Sequence, residues 1–106
     1  MANSFVTNLY PKPTNGTTME RLQVTATTGN TGDSFQTTYN KNTKYIVLDV
    51  QGADALVNYN GDPTDALGHR LYAGRSYTWS KVAAEKAKFI KATSATANIH
   101  ATEFTD

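Results

Sequence analysis

From Lys44 to Gly74 the chain reads strand, turn, strand, turn, strand. Tyr45 to Val50 is a dense β-branched and apolar run, and Gln51-Gly52-Ala53-Asp54 interrupts it. Ala55, Val57 and Tyr59 then alternate with Leu56, Asn58 and Asn60, the period of two expected of a half-buried strand. Asn60-Gly61-Asp62-Pro63 is turn chemistry, with a glycine free to take positive φ and a proline that fixes φ. Leu71 to Ala73 starts a third strand, which Gly74 ends.

The same periodicity recurs on both sides of this block. From Glu20 to Thr27, Leu22, Val24 and Ala26 share one face, and Arg21, Gln23 and Thr25 the other. Phe35, Thr37 and Tyr39 alternate in SFQTTY, after a loop from Thr28 to Asp33. Tyr77 and Trp79 alternate with serines and threonine, which predicts a strand with both aromatics facing inward. Ser80 is placed to cap one short helical stretch, KVAAEKA. Lys88 to Ala92 and the stretch containing Ala97, Ile99 and Ala101 complete the pattern. About eight strands at roughly 8 to 12-residue spacing predict an all-β fold, a compact antiparallel sandwich or a jelly-roll-like barrel. The domain is expected to span residues 19–106.

Residues 1–18 follow no period, and Pro11, Pro13, Asn15 and Gly16 oppose any regular element. Phe5, Val6, Leu9 and Tyr10 are nevertheless apolar, which is uncommon in a disordered tail. Three readings stay open: the segment caps an edge of its own sheet, it is an extended arm that packs on a neighbouring subunit, or it is disordered. The arm reading makes Phe5, Val6, Leu9 and Tyr10 the candidate partner-binding residues.

At 106 residues the chain has room for one modest core. A net charge of +1 creates no global field for nucleic acid or an anionic membrane, and neither is expected as a partner. Charged residues make up 18%, against about 25% in an ordinary soluble domain, and threonine supplies roughly one residue in six. A surface poor in charge and rich in hydroxyls suits broad, wet contacts with other proteins. There is no cysteine, so disulfides and thiol chemistry are excluded. MANSFVTNLYPKP lacks a basic and apolar leader pattern, and no apolar run approaches the ~20 residues of a membrane helix. A product made in the cytoplasm, without a cleaved signal, is the expectation.

Candidate chemistry is sparse. There is no G-x-S-x-G, H-E-x-x-H or phosphate-loop motif. His69 sits in a predicted turn and His100 opposite Ile99 on a strand, contexts that suit exposed polar residues better than a metal pair. NYNGDPTD invites a calcium test. Asn58, Asn60 and Asp62 match the first three ligand positions of an EF-hand loop, but Pro63 replaces the glycine and His69 the terminal glutamate. A turn held by Asn and Asp side chains is the better account. Lys81, Lys86, Lys88 and Lys91 near Trp79 and Phe89 read as a solvated face over buried rings, not as a nucleic-acid stripe. Tyr59, Tyr72, Tyr77 and Trp79 are the rings on which a sugar would stack. No enzyme activity, metal or cofactor is expected.

The pattern VNYNGDPTDALGHRLYAG, followed by FIKAT and a final ANIHATEF, resembles small β-sandwich virion proteins of tailed bacteriophages. The matching positions are Val57, Tyr59, Gly61, Pro63, Thr64, Gly68, His69, Leu71, Ala73 and Gly74, then Phe89, Ile90, Ala92 and Ala97 to Phe104. The likeness covers roughly the C-terminal two thirds of the chain and rests on turn and core positions, which specify a framework and not a site. It implies a structural virion component, foremost a capsid decoration (cement) protein on the capsid surface, assembled in the host cytoplasm. Its partner would then be the major capsid protein or another virion protein, with a homo-oligomer, a trimer foremost, as the resemblance implies. A head–tail or tail adaptor, or a fibre-attachment component, is the alternative. A glycan-binding adhesion module is the alternative of another class.

Overall fold

Seven strands build two antiparallel sheets in the computed structural model, which describes residues 19–35 and 38–105. The larger sheet has the order β1 (Met19–Val24), β7 (Ala97–Phe104), β2 (Tyr45–Gln51), β5 (Ser76–Ser80). The smaller has β4 (His69–Leu71), β3 (Ala55–Asn58), β6 (Lys88–Lys91). From β1 the chain stays in the larger sheet at β2, crosses to β3 and β4, returns at β5, crosses again to β6 and ends back in the larger sheet with β7. Nearly every pairing is therefore between residues far apart in sequence.

The alternation explains the core. Val24, Ile46, Leu48, Val50, Trp79, Ala97, Ile99 and Ala101 point inward from the larger sheet, and Ala55, Val57, Leu71 and Phe89 meet them from the smaller. At the centre the Phe89 ring stacks on Trp79 (5.8 Å, 16°) and takes the edge of Phe35 (5.4 Å, 84°). Trp79 in turn meets Tyr59 edge-on at 5.1 Å. Ser80 caps the helix α1 (Lys81–Lys86), its Oγ accepting from the Ala83 N–H at 3.2 Å, and Ala84 and Ala87 are buried beneath it.

The fold is the all-β sandwich that the periodicity predicts, with four local corrections. The SFQTTY stretch is not a strand among its described residues. Phe35 and Tyr39 are buried anchors, but the Tyr39 N–H donates to the Glu85 carboxylate at 2.8 Å, not to a neighbouring strand. β1 stops at Val24 and not Thr27, because Asp33 Oδ2 takes the N–H groups of Thr25 and Ala26 at 2.9 and 3.0 Å. β4 ends at Leu71, where a strand was expected to begin. The Tyr72 N–H is claimed by Tyr77 Oη (2.9 Å) and the Ala73 N–H by Asp54 Oδ1 (2.7 Å), so no ladder continues. Finally, β3 is not half-buried, since Leu56 is covered as well as Ala55 and Val57. Leu56 pairs with Ile90 on the outer side of the small sheet, and Gly68, at the end of the loop from Tyr59, packs against Leu56.

The segment after β1 also protects an edge. The Lys91 N–H donates to the Ala26 carbonyl at 2.8 Å, and Asp33 and Phe89 exchange two backbone bonds of 2.8 and 2.9 Å. β6 would otherwise present unpaired groups to another chain. A 3-10 turn at Gly29–Thr31 lies against the buried Pro63, so the two long loops lock together outside the small sheet.

Candidate docking surfaces

Strand register decides which outward residues become neighbours. On the outer face of the larger sheet, Tyr45 lies opposite Phe104, Val47 opposite Thr102 and Asp49 opposite His100. On the far side of β7, Met19 faces Thr102 and Arg21 faces His100. Tyr45 and Phe104 stack at 5.4 Å and 17°, and Met19 is 62% exposed beside them. Tyr45, Val47, Phe104 and Met19 thus form an apolar corner on an otherwise hydroxyl- and amide-rich face. Next to it runs a polar row of Ser76, Asp49, His100 and Arg21, in which the Ser76 hydroxyl donates to Asp49 Oδ1 at 2.5 Å. The hydroxyl meets the carboxylate and not the imidazole, so the row lacks the nucleophile-to-base contact of a Ser-His-Asp triad.

A second surface is the knuckle between β4 and β5. Asp54 ties it together: Oδ2 accepts from Arg70 Nε at 2.9 Å and Oδ1 accepts from the Ala73 N–H. The Ala73 bond first, and then Arg70, hold its carboxyl below the ordinary 3.8. Gly74, at φ +86°, closes the turn. Tyr72 is 50% exposed, with the Arg70 and Arg75 guanidinium carbons 5.8 and 5.9 Å from its ring centre. At these distances both guanidinium groups are within cation–π reach of the ring. A depression of about 260 Å³ lies alongside, lined by Asp49, Val50, Gln51, Gly74, Arg75 and Ser76.

The third feature is the Tyr59–Gly68 loop. Asn58 Oδ1 accepts from the Asn60 N–H at 3.0 Å, and Asn58 Nδ2 reaches the carbonyls of Asp62 (3.4 Å) and Leu67 (3.3 Å). Thr64 Oγ1 accepts from the Leu67 N–H, and Asp62 pairs with Lys88 Nζ at 2.7 Å. The Asn and Asp side chains of NYNGDPTD hold the turn, and Asp62 faces an ammonium where a calcium loop would offer a free oxygen. Among the described residues no three His, Cys, Asp or Glu side chains converge as metal ligands. His69 and His100 lie on different sheets.

The sugar-stacking candidates separate. Trp79 is 9% exposed within the core, Tyr59 packs on it, and burial raises the Tyr59 phenol above its ordinary value. Tyr77 is half-buried and bonded to Tyr72. Only Tyr72 of the four presents a ring to solvent. Of the basic cluster, Lys88 is paired, and its aromatic neighbours Trp79 and Phe89 are core.

Two buried polar residues, Thr43 and Glu103, meet at the end of the sandwich. Glu103 is 3% exposed and accepts from Thr43 Oγ1 at 2.8 Å. Nearby Tyr39 donates its hydroxyl to Glu20 at 3.5 Å. Burial first, and then the charges of Glu20, Glu103 and Glu85, push the Tyr39 phenol well above its ordinary 10.0.

Phe5, Val6, Leu9 and Tyr10, the partner-binding candidates from the sequence, lie outside the described residues. Sequence reasoning missed the Tyr45–Phe104 corner and the Arg70–Tyr72–Arg75 knuckle. Pairing of Tyr45 with Phe104 across 59 positions has no local signal in the sequence. Among the described residues no helix is long and apolar enough to cross a membrane. Comparison with family models, with curated proteins and with solved structures returns no match.

Proposed function

We propose that the chain is a protein-docking module that works without catalysis, and that its setting is the virion of a tailed bacteriophage, as a capsid decoration protein. The observation that carries the docking reading is the outward-facing apolar corner in which exposed Met19 adjoins half-buried Tyr45, Val47 and Phe104, on a face with few charges. A flat sheet face of this kind meets a broad, pre-formed surface, such as a joint between major capsid subunits, better than it encloses a small molecule. A protein that binds only the assembled shell stabilises it by mass action. The phage setting rests on the likeness of VNYNGDPTDALGHRLYAG and ANIHATEF to virion β-sandwiches. Phe5, Val6, Leu9 and Tyr10 would supply an arm that binds a neighbour in a homo-oligomer, a trimer foremost.

The test is the protein's copy number and location in purified particles, combined with Val47→Glu. The substitution puts a charge in the apolar corner while leaving the inward face intact. A decoration protein is present in many copies, stays on tail-less heads, and is lost from them on Val47→Glu with its melting temperature little changed. Recovery only from tail fractions would replace the capsid role with that of an adaptor. Full retention of Val47→Glu on heads would rule out the corner as the contact.

A second reading, a glycan-binding adhesion module, rests on Tyr72 with its guanidinium neighbours. It predicts that Tyr72→Ala abolishes glycan retention without unfolding; unchanged retention refutes it.

A further inference from the structure

We propose that Asn60–Gly61 is a site of spontaneous backbone modification, at which Asn60 converts to isoaspartate and unclamps the loop that covers the small sheet. The proposal is independent of the docking partner. Asn60 and Gly61 are both exposed, at the crest of the Tyr59–Gly68 loop. The Asn60 N–H is bonded to Asn58, but among the described residues neither the Asn60 side-chain amide nor the Gly61 N–H has a hydrogen bond. Gly61 has φ +146°, and a Cβ there would meet nothing closer than Asn58 Nδ2 at 3.9 Å. Gly61 thus brings no side chain of its own between its backbone nitrogen and Cγ of the Asn60 side-chain amide.

The step balances within the chain and with water. The Gly61 backbone nitrogen loses its proton and attacks Asn60 Cγ. The bond to the side-chain nitrogen breaks and ammonia leaves, so a five-membered succinimide forms. Water then adds to one of its two carbonyl carbons. Opening at Cγ gives aspartate. Opening at the Asn60 main-chain carbonyl carbon gives isoaspartate, in which the backbone runs through Cγ. Asparagine is among the residues prone to such thermal chemistry.

The surroundings decide what the product does. Isoaspartate lengthens the main chain by one carbon between two anchored points. On one side Asn58 Oδ1 holds the residue-60 N–H. On the other Asp62 is held through its carbonyl by Asn58 and through its carboxylate by Lys88, and Pro63 is buried under Gly29. The added length shifts these contacts and lifts the loop from Leu56. Either product also adds a carboxylate and takes the formal net charge from +1 to neutral. The loop is thus a clock that marks a molecule's age in both charge and stability.

The experiment incubates the full chain under mildly alkaline conditions at physiological temperature, beside a synthetic peptide of residues 57–65 as a reference. Mass spectrometry and labelling by an isoaspartyl methyltransferase follow residue 60, and ion exchange separates the more acidic product. The expected result is isoaspartate at residue 60 of the folded chain at a rate within tenfold of the peptide, and none at that position in Asn60→Gln. An intact Asn60 amide in the folded chain after the peptide has converted overturns the proposal. The separated isoaspartyl form is expected to melt below the untreated protein, and Asn60→Asp, which adds charge without length, to melt close to it. Equal melting of the isoaspartyl and untreated forms overturns the unclamping step.

Discussion

Replacing Trp79 by alanine tests the core assignment and the sugar-binding alternative at once. Trp79 is 9% exposed, stacks on Phe89 and meets the edge of Tyr59. A buried tryptophan removes on the order of 200 Å² from water, worth up to ~5 kcal/mol at about 25 cal/mol per Å². Its two ring contacts add ~1 to 3 kcal/mol. Alanine keeps a part of the burial and the site relaxes in part, so the expected loss is about 3–5 kcal/mol. A domain of 106 residues has a total stability of roughly 5–16 kcal/mol. With a urea m-value of about 1–3 kcal/mol/M, the unfolding midpoint falls by ~2 M, and the melting temperature by ~12 to 20 °C. Circular dichroism is the assay, because the variant lacks the only tryptophan that fluorescence would report. Tyr72→Ala, at an exposed position, should stay within ~0.5 kcal/mol of the parent. A Trp79→Ala protein within about 1 kcal/mol of the parent would refute the core assignment and return Trp79 to the candidate ligands.

Three further perturbations test other links. Glu85→Ala leaves the Tyr39 N–H without its acceptor and should cost ~1 to 3 kcal/mol in urea titration, whereas Glu85→Gln keeps an oxygen there and should recover most of it. Gly29→Ala drives a Cβ against the Pro63 carbonyl oxygen and to 2.8 Å from Asp62 Cβ, so a loss of about 1–3 kcal/mol is expected from the same assay. The Tyr39 phenol is raised in the folded state, so its contribution is fully present below its unfolded value of 10.0 and is lost as pH rises beyond it. Stability measured upward from about pH 10 should therefore fall more steeply in the parent than in Tyr39→Phe, and equal slopes would show that burial and the charges of Glu20, Glu103 and Glu85 do not act on this group.

The two candidate docking surfaces share a feature that bears on the proposed docking. Each is held in place by contacts within the fold. Phe104 and Tyr45 support each other across β7 and β2, and Asp54 fixes Arg70 while the Tyr77 hydroxyl fixes the Tyr72 backbone. Side chains already held in place lose less freedom on association, which favours affinity at modest area.

The alternation of apolar and polar residues by itself determined the fold class, most strands and the inward-facing set. It set Leu22 and Val24, Ala55 and Val57, Tyr77 and Trp79, and Ala97, Ile99 and Ala101 each on one face of a strand, and Ser80 at the start of one short helix. Those properties are local: a strand's period of two and a hydroxyl before a helix are written within a few residues. The same logic erred where side chains compete with the ladder for backbone groups. Asp33 ends β1, Asp54 and Tyr77 end β4, and Glu85 holds Tyr39 out of a strand, each from 5 to 46 positions away. Leu56 looked half-exposed because the loop that covers it is the very stretch that reads as a polar turn. The apolar corner and the arginine–tyrosine knuckle were likewise decided only in three dimensions. Period identifies which face a residue occupies, but register and crossovers between sheets select its neighbours, and those are properties of the whole chain folded at once.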